Sequence, residues 1–138
     1  MKKILTAVLA ILLTSSLNAG DKTQQAKLSS DMRVMLESVV NIQRAGFYNN
    51  KKGIKSAAQE LIASLDSLIE TDASTYLPED KANASKFAHK RQKMIKMYAE
   101  DLIVAIDAGD FDESLEDYNQ ILKQCTSCHS RIRQRMWK

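Results

Sequence analysis

Apolar residues recur along most of the chain at alternating steps of three and four, which is the spacing of one face of an α-helix. The first stripe runs from Leu28 to Gly46, and the second runs from Ile54 to Ile69 and predicts a helix over 52–70. No stretch of useful length alternates apolar and polar residues as a β-strand does. The pattern therefore predicts an all-α protein.

Two further helices are predicted in the second half of the chain. Pro78 suits the first turn of the third helix, because the N–H that proline lacks would be unsatisfied there, and this helix is predicted to end near Gly109. Its core-facing residues are predicted to be Phe87, Met94, Met97, Tyr98, Leu102, Ala105 and Ile106. Asp110 and Glu113 form a variant of the capping box at the start of the fourth helix, which continues to about Met136. Four helices with short connections predict an antiparallel up-down-up-down bundle.

Residues 1–19 have the composition of a secretory signal peptide. Lysines near the N-terminus precede the apolar run 4–13, and a segment of small and polar residues then ends at Ala19. The apolar run is shorter than the ~20 residues that a membrane-spanning helix requires. We therefore expect cleavage after Ala19, or after Gly20, with no membrane anchor. Residues 20–138 have the length of a single domain, which we expect in the periplasm.

Charge argues against nucleic acid as a partner. The formal net charge is +3, and two of the lysines that contribute to it lie in the predicted signal peptide. A nearly neutral mature domain lacks the strongly basic character of a nucleic-acid-binding protein.

The only two cysteines lie in the segment Cys125-Thr126-Ser127-Cys128-His129, which matches the c-type haem attachment pattern in full. Residues three and four apart share one face of a helix. Both sulfurs can therefore form thioethers with the two vinyl groups of one porphyrin, while the imidazole binds the iron. The motif predicts one covalently attached haem c.

Three other interpretations of the cysteines are weaker. A structural zinc site normally has four ligands, and beyond Cys125, Cys128 and His129 the chain offers only the distant His89 as a further His or Cys ligand. His89 itself lies in a polar run and is expected to be a solvated surface residue. A thioredoxin-like pair would accompany a βαβ pattern, which is absent. A disulfide would close a loop too short to restrain the unfolded chain much.

A haem motif near the end of an all-helical exported chain resembles the cytochrome c prime family. The likeness is densest from Asp107 to Arg133. In that family an aromatic residue and an arginine follow the motif after two further residues; here Ile132 replaces the aromatic residue and Arg133 matches the arginine. The resemblance implies a left-handed bundle with the haem near one end and Arg133 beside it. Members often dimerise through their first two helices, so both a monomer and a homodimer remain open.

The resemblance also implies that the distal face of the haem lies against the first helix. The end of the fourth helix and the beginning of the first are neighbours in an antiparallel bundle, which brings Met32 and Met35 near the iron. A thioether is a common sixth ligand, although methionine on an apolar stripe also fills cores. Alignment with the methionine-ligated members favours Met35. Leu36 and Glu37 are the other residues nearby, and Leu36 over the iron would leave it five-coordinate.

The expected function is electron transfer between redox partner proteins, without bond chemistry on a substrate. The alternative is a five-coordinate haem protein that binds nitric oxide or carbon monoxide. A peroxidase would need a distal histidine and arginine pair, which the sequence does not offer, so we do not expect an enzyme. Basic residues cluster late in the chain and are expected to pair with haem propionates or to attract acidic partners. They are Lys123, Arg131, Arg133, Arg135 and Lys138.

Overall fold

The computed structural model describes the backbone of residues 2–70 and 83–132, and the side chains from Lys22 onward in those ranges except for Ala84 and Ile132. Four helices make up this part of the chain: α1 (Lys2–Phe47), α2 (Lys51–Ile69), α3 (Ala84–Ala108) and α4 (Phe111–Ile132). The described ranges contain no strand. The prediction of an all-α protein with four helices is confirmed.

The observed helix ends agree with the predicted ones to different degrees. α2 and α4 each begin within one residue of the predicted start, whereas α1 begins far before Leu28. Among the described side chains of α1, Leu28 is the first that is not exposed, and no proline precedes it to interrupt the helix. The side chains of the predicted signal peptide 1–19, the predicted helix start at Pro78 and the predicted end near Met136 lie outside the described residues. Within the described part of the chain, no helix combines the length and the apolarity needed to cross a membrane.

Short polar turns end and begin the helices. The Asn50 side chain accepts a hydrogen bond of 2.9 Å from the Gly53 N–H and so caps α2. Between α3 and α4, Gly109 adopts a positive φ of 77°, which glycine tolerates without strain. The Asp110 side chain then accepts a 3.0 Å hydrogen bond from the Glu113 N–H, which confirms that Asp110 caps α4.

The buried face of α3 differs from the predicted one. Met97 was predicted to face the core but is 45 % exposed, and Phe87, Met94 and Tyr98 are only half-buried. The buried residues of α3 are Ala88, Gln92, Ile95, Ala99, Leu102, Ala105 and Ile106. The prediction is confirmed for Leu102, Ala105 and Ile106, and the half-buried Tyr98 packs against the core. It was wrong for Met97 because it weighted large apolar side chains, whereas close helix packing also uses alanines and one glutamine.

Neighbouring helices pack in chain order, α1 on α2, α2 on α3 and α3 on α4. Their contacts are consistent with a bundle. The remaining pair, α1 and α4, stays apart: in the described ranges no Cα atom of α1 lies within 8 Å of a Cα atom of α4. The core is buried among the helices, with Leu61, Leu65 and Ile121 fully shielded from solvent. One side of the bundle is therefore open between α1 and α4.

Candidate functional site

The three residues of the predicted attachment motif lie near the C-terminal end of α4. Cys125, Cys128 and His129 are each partly buried, and the two thiols are not joined to each other. Cys125 packs against the hydrophobic core. The hydroxyl of Thr126, between them, donates a 3.0 Å hydrogen bond back to the Leu122 carbonyl within the same helix. Because α4 remains helical through the motif, the two sulfurs and the imidazole share one face.

Neither thiol has the properties of a reactive dithiol. Burial, and secondarily the neighbouring Cys128, raises the pKa of Cys125 to about 11. Burial also raises the pKa of Cys128, although the positive charge of Arg91 acts in the opposite direction. Redox-active and nucleophilic cysteines instead have lowered pKa values. Both thiols are therefore protonated at neutral pH, which does not favour the thioredoxin-like interpretation.

A closed zinc site is not assembled in the described ranges. No three or more histidine, cysteine, aspartate and glutamate side chains converge there in a way that could hold a metal ion, whereas a structural zinc ion takes four ligands. His89 was expected to be a solvated surface residue, and this expectation was wrong. It is half-buried, and its Nε2 atom is buried without a hydrogen-bond partner. It lines a broad depression on the outer side of α3.

The motif has neighbours on α3 that the sequence pattern did not reveal. Arg91 donates a hydrogen bond from Nη1 to Oε1 of Gln124, and its guanidinium lies 4.9 Å from the centre of the Phe87 ring. Arg131, beyond the motif, lies 4.4 Å from the same ring centre. The first half of α3 thus lies beside the second half of α4. One feature of the sequence could have indicated this contact: Gln124 is a polar residue three positions after the buried Ile121.

The residues predicted to lie over the iron differ in burial. Met35 belongs to the hydrophobic core and is 8 % exposed, and the partly buried Met32 packs against the same core. Leu36 is 64 % exposed, and Glu37 is exposed as well. Of the four candidates, the two methionines therefore face inward.

The open side between α1 and α4 contains an apolar cavity of about 440 Å³. Its walls include Ile42 and Gly46 from α1, and Tyr118 and Leu122 from α4. This volume is within the range of about 300–1,000 Å³ that is usual for ligand pockets. The lining reaches to one helical turn before Cys125, but it does not include the motif residues or Met35.

Arg133, the predicted haem-contacting arginine, lies outside the described residues, as do Arg135 and Lys138. Tyr118, which sequence reasoning treated only as part of the helix, lines the cavity. Burial and the nearby Cys125 raise the pKa of its phenol. The cavity wall and the motif are therefore neighbouring parts of one face of α4.

Comparison of the chain with protein-family models, with curated proteins and with solved structures found no match.

Proposed function

We propose that this chain is a periplasmic monohaem c-type cytochrome of the cytochrome c prime kind, which carries electrons between redox proteins. The observation that carries the proposal is the complete Cys125-x-x-Cys128-His129 motif on one face of α4, next to an open apolar side of the bundle. When bound, the haem supplies a one-electron couple. The two cysteines would hold it covalently, and His129 would bind its iron.

The proposed bundle is antiparallel, with α1 beside α4. Lys27 of α1 contacts Ser67 of α2, and Ser38 of α1 contacts Glu60 of α2. Residue numbers therefore rise along one helix as they fall along the other. The α2–α3 ion pairs Lys55–Asp107 and Lys96–Asp66 follow the same rule. The α3–α4 contacts of Phe87 and Arg91 with Arg131 and Gln124 do so as well. Three successive reversals favour the up-down-up-down order.

This order supports Met35 as the sixth ligand. Ile42 of α1 and Leu122 of α4 line the same cavity. Seven residues correspond to about two helical turns, or roughly 10 Å, and return to nearly the same helix face. On α1, Met35 lies seven residues before Ile42, and on α4, His129 lies seven residues after Leu122. In an antiparallel pair, these two steps lead in the same direction, away from the cavity. Met35 and His129, which would both bind the iron, therefore come at about the same level on the two helices that border the open side.

Protein groups at this site would favour electron transfer. Because Met35 is held in a packed core, its thioether would stay in place in both oxidation states, and little reorganisation would accompany the transfer. Apolar side chains such as Leu122 and Val39 would keep water from the buried edge of the cofactor. In this proposal, as the resemblance implies, Arg133 would contact the cofactor. A buried thioether favours this function over binding of nitric oxide or carbon monoxide at a vacant sixth position.

The test is covalent attachment of haem in protein purified from the periplasm. The intact mass should equal that of residues 20–138 plus one haem, and acid-acetone extraction should leave the haem on the polypeptide. Cys125→Ala with Cys128→Ala should abolish attachment, because no thioether can then form.

The matched control replaces the two residues between the cysteines. Thr126→Ala with Ser127→Ala leaves both sulfurs and His129 unchanged, and it should retain one haem per chain. The proposal is refuted if the unsubstituted protein releases free haem on extraction, or if its mass shows no added haem.

A further inference from the structure

The charges of α3 and α4 are strongly segregated along the helices. Residues 84–99 and 118–132, which lie side by side, contain seven lysine and arginine residues and no aspartate or glutamate. Residues 100–117, at the other end of the same helix pair, contain eight aspartate and glutamate residues and no lysine or arginine. The helix pair therefore has one strongly positive end, near the Cys125–His129 motif, and one strongly negative end.

Each end of the helix pair forms an ion pair with α2. At the negative end, Lys55 of α2 forms a 2.6 Å ion pair with Asp107, and the Lys51 ammonium lies 5.5 Å from the centre of the Phe111 ring. At the positive end, Lys96 pairs with Asp66 of α2. In the described ranges, no carboxylate lies within ion-pair distance of the other lysines of α3. Their positive charge is therefore exposed to solvent.

These lysines form one surface with two methionines. Lys86, Lys90, Lys93 and Met97 follow each other at steps of four, three and four on α3, so they share one helix face. They line the depression on the outer side of α3 together with the half-buried Met94. The four residues and Met94 are called the lysine–methionine face below. The three lysines come first along the face and the two methionines lie at its C-terminal end, so the face offers positively charged and apolar contacts side by side.

The lysine–methionine face lies close to the attachment motif. Lys86 and Lys90 flank Phe87 in the sequence, and the Phe87 ring contacts Arg131, which follows Cys128 by three residues. A protein bound at this face would therefore come near the end of the bundle that carries the motif.

We propose that the lysine–methionine face binds an acidic surface of a partner protein, with carboxylates against the lysines and an apolar side chain against the methionines. Methionine suits such contacts because its flexible, polarizable side chain adapts to different shapes. That the partner is a redox protein rests on the proposed function; the binding surface itself does not. The negative end of the helix pair would repel the same partner and so would orient the encounter.

The same charge segregation argues against a flat anionic membrane as the occupant. A bilayer lying along α3 would meet the carboxylates of residues 100–117 as well as the lysines, whereas a local acidic patch on a protein meets the lysines alone. The face also lacks the aromatic and leucine side chains with which interfacial helices enter a bilayer.

The experiment measures binding of fluorescently labelled polyglutamate to the purified full-length mature chain at low ionic strength, by anisotropy. Lys90→Glu with Lys93→Glu should weaken binding by about tenfold or more, since charge complementarity dominates such contacts. The matched control, Arg44→Glu with Lys52→Glu, changes the net charge equally at exposed positions of α1 and α2. It should weaken binding by less than about twofold.

A second measurement tests the methionines. A glutamate–tyrosine copolymer should bind more tightly than polyglutamate, and Met97→Gln should remove that preference while leaving polyglutamate binding unchanged. Equal weakening by both charge-reversal pairs, tighter binding to phosphatidylglycerol vesicles or duplex DNA than to polyglutamate, or a copolymer preference that survives Met97→Gln would overturn the proposal. Haem content measured on the same samples separates the two proposals: absence of haem refutes the proposed function and leaves the binding result intact.

Discussion

The two sides of α4 are built in opposite ways. Towards α3, α4 presents polar side chains that are buried, including Gln124 and Asp117, and packs closely. Towards α1 it presents Tyr118 and Leu122 to an apolar cavity, and the two helices stay apart. The fully buried Ile121 lies between these sides and belongs to the core.

In the proposed function, the two sides of α4 would have different tasks. Close packing and the Arg91–Gln124 hydrogen bond fix the rotation of α4 about its axis, and so fix which face carries Cys125, Cys128 and His129. The side towards α1 provides space, because a group inserted there need not displace packed side chains. In the proposed function, the packed side would orient the motif, and the open side would accommodate the cofactor that the motif holds.

The largest expected effect is a change in spin state, caused by a substitution on α1 at the border of the open side. Met35→Ala should convert the ferric protein from low-spin to high-spin and allow carbon monoxide to bind the ferrous protein, because a strong-field ligand is lost. Absorption spectra measure both changes, and a weak near-infrared sulfur-to-iron band should disappear with the substitution.

Met32→Ala is the control, since it also removes a partly buried methionine one turn away. It should leave the low-spin spectrum and the near-infrared band unchanged. A high-spin spectrum of the unsubstituted ferric protein would refute methionine ligation and favour the five-coordinate, gas-binding alternative.

The second prediction compares the free energy of unfolding after a substitution in the core with that after a substitution at the rim of the open side. Ile121→Ala should lower the free energy of unfolding by about 2–5 kcal/mol, because it leaves a cavity among packed helices. Leu115→Ala, on the same helix but 59 % exposed, should change it by less than about 0.5 kcal/mol. Urea denaturation measures both values. A large loss in the Leu115 variant would show that this rim is covered in solution and that the open side is not open.

The smallest expected effect is a pH-dependent change in stability, caused by a buried carboxylate on the polar side of α4. Burial, followed by repulsion from Asp101, Glu113 and Glu116, raises the pKa of Asp117 from its ordinary value of 3.8 to about 6, and its Oδ2 atom has no hydrogen-bond partner. The folded state therefore binds a proton more tightly than the unfolded state. Stability falls as the pH rises from about 4 to above 6, where the buried carboxylate is ionised.

Asp117→Asn removes this charge. The variant should be more stable than the unsubstituted protein by roughly 1–3 kcal/mol at pH 7.5 to 8, and the difference should shrink towards pH 4. Thermal denaturation across this pH range measures it. Glu100→Gln, at an exposed position, is the control and should show little pH-dependent difference. A difference that is the same at both ends of the range would contradict a titrating Asp117.

Sequence patterns predicted local features better than the contacts between helices. The α2 stripe, the Asp110 cap and the helical spacing of Cys125 and Cys128 depend on residues close in the chain, and periodicity reports such features directly. The exposure of Met97 and the burial of Gln92 were missed, because periodicity cannot tell which of two adjacent apolar stripes meets a neighbour. The half-burial of His89 was missed as well, because its expected exposure was inferred only from the polar residues beside it in the chain.

The sequence by itself determined the helical class, the approximate bounds of α2, the start of α4 and the presence of a Cys-x-x-Cys-His motif, since each depends on residue type and short spacing. Only the tertiary structure decided that α1 and α4 stand apart around an apolar cavity, that Arg91 meets Gln124 beside the motif, and that Asp117 is buried. The physical reason is that burial and distance depend on how the faces of separate helices are rotated against each other. That rotation is set by the fit of many side chains together and is written in no single segment of the chain.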